Sequence, residues 1–221
     1  MVKWRLKLSC GKMKAIIPFK KQNAKSRLAS LLNQEEREKF ALAMLKDVIK
    51  ALKKSKVSEV KVLAMSREGL EDIEAEVEVE VSDKGLSEAI NEQFAKAKEE
   101  ILIVMADLPL IQPRHIDEII ACKEDIVIAF GKGGGTNIML VRHPSKYRAD
   151  YYEISYLKHK RIALEAGLSF KAYDSFYTAC DIDEVWDIAE LLIHGSGEAA
   201  EYLNKLGLKL VESKGRVSVK R

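Results

Sequence analysis

Apolar residues recur along this chain with two periods, and the switches between them lay out its elements. Short alternating or unbroken apolar runs predict strands at 14–19 ("KAIIPF"), 59–65 ("EVKVLAM"), 77–81 ("VEVEV"), 101–106 ("ILIVMA") and 125–130 ("DIVIAF"). Between Gln34 and Ser55, residues Phe40, Ala41, Met44, Leu45, Val48, Ile49 and Leu52 return at helical spacing, with lysines and acids opposite. Leu86–Glu99 is also helical, with Ser87 as its expected N-cap. Pro113, at the first-turn position proline prefers, starts a helix reaching about Cys122. Beyond these come a strand at 137–142, a helix at 155–166, a strand at 169–174 and a helix at 184–194. A shorter helix and two small strands, "LKLV" and "RVSV", close the chain.

The unbroken run "ILIVMA" has the character of a strand buried on both faces. The order β-α-β-β-α-β-α-β then predicts a mostly parallel sheet with helices on both sides, a three-layer α/β/α arrangement. One domain is expected over 13–221. The first twelve residues, "MVKWRLKLSCGK", are basic, lack the apolar core of a signal peptide and precede the more ordinary start "MKAIIPF". They are expected to be an extension outside the fold, an expectation contradicted if a variant starting at Met13 fails to fold.

Composition narrows the functional classes only modestly. The 37 lysines and arginines nearly balance 34 aspartates and glutamates, a net charge of +3. No strong field toward nucleic acid follows, whereas a small anionic substrate is well suited. Cys10, Cys122 and Cys180 lie far apart with no C-x-x-C pair, which argues against a zinc ribbon or a disulfide framework and for a cytoplasmic protein. No apolar run approaches the roughly 20 residues of a membrane span.

Candidate chemistry sits after the strands, because open parallel sheets bind ligands beyond their carboxyl ends. The first strand is followed by "KKQNAKSRL", with Lys20, Lys21, Lys25, Ser26 and Arg27; the central strand by "DLPL", with Asp107. "GKGGGTN" (131–137) follows "DIVIAF", and "SFYTACDID", with Asp181 and Asp183, follows "SFKAYD". Cations, a lone carboxylate, backbone donors and a D-x-D pair thus converge on one edge. Carboxylates beside phosphate-binding cations suggest a bridging divalent ion, and magnesium usually takes one or two carboxylates plus substrate phosphates.

Plainer readings stand beside these. The Lys/Arg loop suits a solvated surface, Asp107 a helix cap (although Gln112 is the better-placed residue), and Asp183 the N-cap of helix 184–194. "GKGGGTN" is not a nucleotide-binding P-loop, since its lysine precedes the glycines and a strand follows. Three adjacent glycines nonetheless weaken a fold unless backbone must approach something closely. His115, His143, His159 and His194 show no metal spacing; His115 and His194 read as surface or capping residues. In "SYLKHKR", His159 lies with Lys158, Lys160 and Arg161 on a basic helix start that Ser155 could cap. No G-x-S-x-G, H-E-x-x-H or G-x-G-x-x-G occurs, and no organic cofactor is expected.

With those residues in hand, the chain resembles the guanylyltransferases that activate 2-phospho-L-lactate for the deazaflavin coenzyme F-420. The resemblance runs from about Met13 to the C-terminus through "IPFKKQNAKSRLA", "DKGLSEAIN", "ILIVMADLPL", "GKGGGTN", "HPSKYR" and "YDSFYTACDIDEVWDIAELLIHG". It implies a Rossmann-like nucleotidyltransferase fold and transfer of GMP from GTP to 2-phospho-L-lactate, releasing pyrophosphate. It further implies Asp107, Asp181 and Asp183 as magnesium ligands, and Lys25 and Arg27, with Lys20 and Ser26 nearby, as the triphosphate clamp. Gly85 and Asn91 would lie beside the nucleoside; Gly134, Gly135, Thr136, Asn137 and Ser155 would form the acceptor site. Relatives often carry a glycine just before this serine, whereas "YYEIS" places Glu153 where a backbone donor without a side chain is expected. That departure leaves phosphoenolpyruvate and 3-phosphoglycerate open as acceptors.

Three alternatives remain at this point: a nucleotidyltransferase for a sugar phosphate or a molybdopterin, a metal-dependent glycosyltransferase using D-x-D, and a non-catalytic nucleotide sensor. A homodimer is the expected assembly.

Overall fold

A computed structural model describes residues 13–213 and 215–221; the expected extension at 1–12 lies outside the described residues. Seven strands form the main sheet: β1 (Lys14–Phe19), β2 (Glu59–Ala64), β3 (Glu78–Val81), β4 (Ile101–Val104), β5 (Ile126–Phe130), β6 (Thr136–Val141) and β7 (Phe170–Tyr173). Their order is β3-β2-β1-β4-β6-β5-β7. Strand β6 runs antiparallel to both neighbours, and every other pairing is parallel.

Side-chain alternation along the strands divides the apolar residues between two helical layers. Ala15, Ile17, Phe19, Val62, Leu102, Val104, Val127, Ile138 and Leu140 face one layer. It is built from α1 (Gln34–Lys53), α4 (Pro113–Ala121), α7 (Val185–His194) and α8 (Glu198–Lys205). Ile16, Leu63, Ile101, Ile103, Ile126, Ile128, Met139 and Val141 face the other, made of α3 (Leu86–Lys96) and α5 (Ser155–Glu165). The expected mixed, mostly parallel α/β/α sandwich is therefore what forms. Among the described residues no helix is long and apolar enough to cross a membrane.

Local chemistry sets the helix starts. Asn33 Oδ1 accepts the Glu36 N–H at 3.0 Å while the Glu36 carboxylate accepts the Asn33 N–H at 2.9 Å, a reciprocal cap on α1. Helix α4 begins at Pro113 after Gln112, whose N–H donates to His115 Nδ1 at 3.1 Å. Ser87 is not the cap of α3; Gly85 holds that position, and the Ser87 hydroxyl accepts the Tyr151 N–H at 2.8 Å instead. Single helical turns at α2 (Glu71–Glu74) and α6 (Phe176–Ala179) are too short to show a period in sequence.

The start of α8 is capped from a distant part of the chain. Buried Asp47 on α1 accepts the N–H groups of Glu198 at 2.8 Å and Ala199 at 2.9 Å, and a Cβ at Gly197 would come 2.3 Å from its Oδ1. Asp47→Ala strands two helix-start donors, that of Ala199 buried, so thermal or urea denaturation should show a loss of about 2 kcal/mol. A loss below about 0.5 kcal/mol would contradict that role. Beyond α8, β8 (Lys209–Ser213) and β9 (Arg216–Lys220) form a separate antiparallel hairpin. Arg221 returns to α1 and grips the Glu36 carboxylate with two nitrogens, at 2.8 and 2.6 Å.

Candidate functional site

Strands β1, β2, β4 and β5 end at one edge of the sheet, and antiparallel β6 begins there. The loop after β1 folds back through two left-handed residues, Asn23 and Lys25, each at φ 53°. A short turn at Ser26–Leu28 follows, anchored by the fully buried Leu28. This directs Lys25 inward: its Nζ lies 2.7 Å from Asp107 Oδ2 and 2.6 Å from Asp183 Oδ1, with only 10% of the side chain exposed. Burial pulls the Lys25 pKa down, but the charges and hydrogen bonds of Asp107 and Asp183 outweigh it and leave it raised. The lysine is therefore a permanent cation bridging two carboxylates.

The segments carrying those carboxylates are tied through main chain. Ile182, buried between Asp181 and Asp183, donates its N–H to the Asp107 carbonyl at 3.0 Å. Asp183 is not the cap of α7: Glu184 occupies that position, and Asp187 Oδ2 accepts the N–H groups of Asp183 at 3.0 Å and Glu184 at 2.8 Å. Asp183 is thereby released for Lys25. Burial raises the Asp181 pKa, the nearby Asp107 adds to the effect, and its Oδ1 accepts Asn137 Nδ2–H at 3.2 Å. Arg27 stands outside this cluster, its largely exposed guanidinium 3.3 Å from Glu184 and 3.9 Å from Asp183.

A cleft of about 570 Å³ opens beside the cluster, with Lys20, Lys25, Asp107 and Asp183 among its lining residues. Leu63, Ala64, Leu86 and Ala89 give it an apolar floor, and the Ser82–Gly85 loop forms a wall. Gly85 is brought into this lining. Ser26 and Arg27 lie on the adjoining turn outside it, and Asn91 lies elsewhere, its amide exchanging hydrogen bonds with the Ala149 carbonyl (2.9 Å) and N–H (2.8 Å).

The glycine loop is the β5–β6 hairpin. Gly131 donates its N–H to the Gly135 carbonyl and receives that of Gly134 on its own carbonyl, both at 3.0 Å. Gly134 adopts φ +77°, and a Cβ there would meet Ile154 Cγ2 at 2.8 Å. Gly131, the first residue of "GKGGGTN", packs closely as well: a Cβ would lie 2.8 Å from Asn137 Oδ1 and 3.1 Å from Asp181 Oδ1. Lys132 turns away from the loop, its Nζ lying 3.1 Å from Asp187 and 3.4 Å from Cys180 Sγ.

Behind the loop, Thr136 and Ser155 are buried rather than open to the cleft. Ser155 is the first residue of α5, not its cap, and its hydroxyl donates to Thr136 Oγ1 at 3.2 Å. His159, expected on a basic surface, is fully buried. Its Nε2 accepts the Asp150 N–H at 2.9 Å, so its proton sits on Nδ1 and is donated to Thr136 Oγ1 at 2.8 Å. Glu153 adopts φ +59°, the left-handed geometry that favours glycine, and its carboxylate turns onto Lys158 Nζ at 3.0 Å. The backbone shape that glycine favours is thus held here by a glutamate facing outward.

Burial pushes the His159 pKa down to about 4. The folded state keeps it neutral while the unfolded chain binds a proton below about pH 6.5, so this contribution is complete above that value and is lost as pH falls toward 4. Stability should drop by roughly 3 kcal/mol over that interval, and His159→Gln should flatten the profile. A profile identical to that of the unaltered chain would contradict the assignment.

The expected three-carboxylate metal centre does not assemble in that form. Among the described residues no three His, Cys, Asp or Glu side chains gather as a ligand group. Instead the Lys25 ammonium lies between Asp107 and Asp183, with Asp181 turned to Asn137. The donor set is all oxygen and suits a hard divalent ion, which would take the position between Asp107 and Asp183 that the Lys25 ammonium holds here.

The model of a family described as "Guanylyl transferase CofC like" matches residues 13–221 of this chain. The 2-phospho-L-lactate guanylyltransferase of Methanosarcina mazei is 47% identical over 209 residues, covering 95% of this chain and 96% of its own. That of Methanosarcina barkeri is 48% identical over 207 residues, covering 94% and 99%. Among solved structures, a nucleotidyl transferase from Methanothermobacter thermautotroptrophicus superimposes with a TM-score of 0.60 at 18% identity, covering 88% of this chain and 99% of its own. At that identity the likeness speaks to the fold alone.

Proposed function

Because this chain belongs to the CofC-like guanylyl transferase family, we propose that its cleft joins GTP to 2-phospho-L-lactate. The products are lactyl-2-diphospho-5′-guanosine and pyrophosphate, an activation step in coenzyme F-420 biosynthesis. The observation that carries this reading is the Lys25 ammonium held between Asp107 and Asp183 at the mouth of the cleft. A triphosphate carrying its divalent ion would meet the Lys20 and Lys25 ammonium groups and the two carboxylates at one end and an apolar floor for its base at the other.

A phosphomonoester is mostly dianionic at neutral pH, its second pKa being about 6. The acceptor is therefore already a nucleophile and needs no general base, which agrees with the inward, neutral His159. What opposes reaction is bringing a dianion to a polyanion. Lys25, with Arg27 reaching in from the adjoining turn, would offset charge growing on the α-phosphorus and the departing pyrophosphate. The glycine hairpin lets an acceptor phosphate approach main chain beside Asn137 and Asp181, with Thr136 and Ser155 bracing it from behind. Asp107 and Asp183, with Asp181 beside them, would hold magnesium, which supplies charge neutralisation between the two phosphates.

Incubation with each nucleoside triphosphate and each of 2-phospho-L-lactate, phosphoenolpyruvate and 3-phosphoglycerate tests the reading by pyrophosphate release. GTP with 2-phospho-L-lactate should give the dominant signal. Release that depends instead on a sugar phosphate or a molybdopterin would overturn the acceptor class. The working form that accompanies this reading is a cytoplasmic homodimer using GTP, with the free thiols of Cys122 and Cys180 suited to that compartment. Light scattering should return twice the 24.9 kDa chain mass.

A further inference from the structure

The wall of the cleft carries two charged groups that the reaction above does not use, Asp83 and Lys84. Asp83 lies on the exposed loop between β3 and α3 and lines the cleft. Among the described residues its carboxylate has neither an ion pair nor a hydrogen bond, although charged partners are abundant on this surface. The nearest cation in sequence is drawn away: Lys84 Nζ is bonded to Glu92 and lies 3.7 Å from Glu88, both on α3. Main chain holds the loop itself, with the Ser82 N–H donating to the Ala64 carbonyl at the end of β2 at 2.9 Å. A fixed loop thus presents an uncommitted carboxylate to a cleft whose opposite end holds Lys25, Asp107 and Asp183.

The chemistry of a purine edge matches that arrangement. With the phosphates beside Lys25 and the ring face on the apolar floor, the base edge must find polar partners in the 82–85 wall. Guanine offers two adjacent donors, N1–H and the 2-amino group, and one carboxylate accepts both. Adenine offers an unprotonated N1 and a C2–H there, so a carboxylate gains no hydrogen bond and faces a lone pair. A site built to bond a substrate N–H rejects analogues lacking it strongly, because its own polar group is left unpaired.

We propose that Asp83 selects the base, its carboxylate accepting the N1–H and 2-amino protons of guanine; this deepens, and rests on, the guanylyl-transfer reading. The test measures kcat/KM for GTP, ITP, XTP and ATP with 2-phospho-L-lactate, in the unaltered chain and in Asp83→Asn. Inosine lacks the 2-amino group, so ITP should fall about tenfold below GTP in the unaltered chain, the loss of one charge-assisted bond. In Asp83→Asn the amide oxygen still accepts N1–H, but the Nδ2 protons face the 2-amino group of guanine and match the 2-carbonyl of xanthine. GTP should fall about a hundredfold and XTP should rise above its value with the unaltered chain. An unchanged GTP-to-XTP ratio, or an equal fall on all four nucleotides, overturns the role of Asp83 while guanylyl transfer by the unaltered chain stands. Failure of the unaltered chain to use GTP overturns both.

Discussion

Asp107→Ala should lower turnover about a thousandfold while leaving the melting temperature within a few degrees. The two effects separate because Asp107 serves the fold and the site through different atoms. Its carbonyl accepts the Ile182 N–H and holds the segments after β4 and before α7 together, and alanine keeps that bond. Its carboxylate reaches only into the cleft, to Lys25 Nζ at 2.7 Å. Removing it takes away half of the carboxylate pair around one cation position. Asp107→Asn should fall nearly as far, since shape is preserved and only charge is lost. Turnover within tenfold of the unaltered chain in either variant would remove Asp107 from the reaction.

Lys25→Ala carries the second large expected effect, a fall in kcat/KM of several hundredfold for GTP. This lysine is positioned by two left-handed loop residues, is nearly buried, and lies within 2.7 Å of two carboxylates. Its loss leaves Asp107 and Asp183 without the cation between them, so a triphosphate meets more uncompensated negative charge there and loses the ammonium as a partner. Lys25→Arg should recover little, because a planar guanidinium cannot occupy the point position that an ammonium shares between two carboxylates. The more exposed Arg27 should be less sensitive, with Arg27→Ala acting chiefly on KM for GTP. Near-equal losses at the two positions, or full rescue by arginine, would contradict this division of roles.

Much of the fold was legible because periodicity reports burial directly. The strand at 14–19 and the start of α1 at Gln34 fall where the apolar pattern puts them. Strand ends also pointed correctly to one edge, and Lys25, Asp107 and Asp183 do meet there although they are far apart in sequence. What stayed hidden was the direction of side chains whose partners come from other elements. Ser87 looks like a cap until Tyr151 claims its hydroxyl, and nothing in the sequence around Lys132 reveals that Asp187 holds its ammonium. Asn91 was assigned to the nucleoside from a shared segment, but its amide clamps Ala149. His159 sits among lysines and an arginine in sequence, yet one helical face turns inward and carries it to Thr136. Gly131 heads the glycine loop, but its close approach to Asn137 and Asp181 shows only in the fold.

The account's central claim is that the acceptor's own phosphate oxygen attacks the α-phosphorus of GTP in this cleft. 2-Phospho-L-lactate labelled with ¹⁸O in its phosphate, turned over with unlabelled GTP and analysed by mass spectrometry, tests it most directly. The predicted result is a lactyl-diphospho-guanosine product retaining all of the label, formed one for one with unlabelled pyrophosphate. Label in the pyrophosphate, or pyrophosphate released without a labelled product, would contradict it.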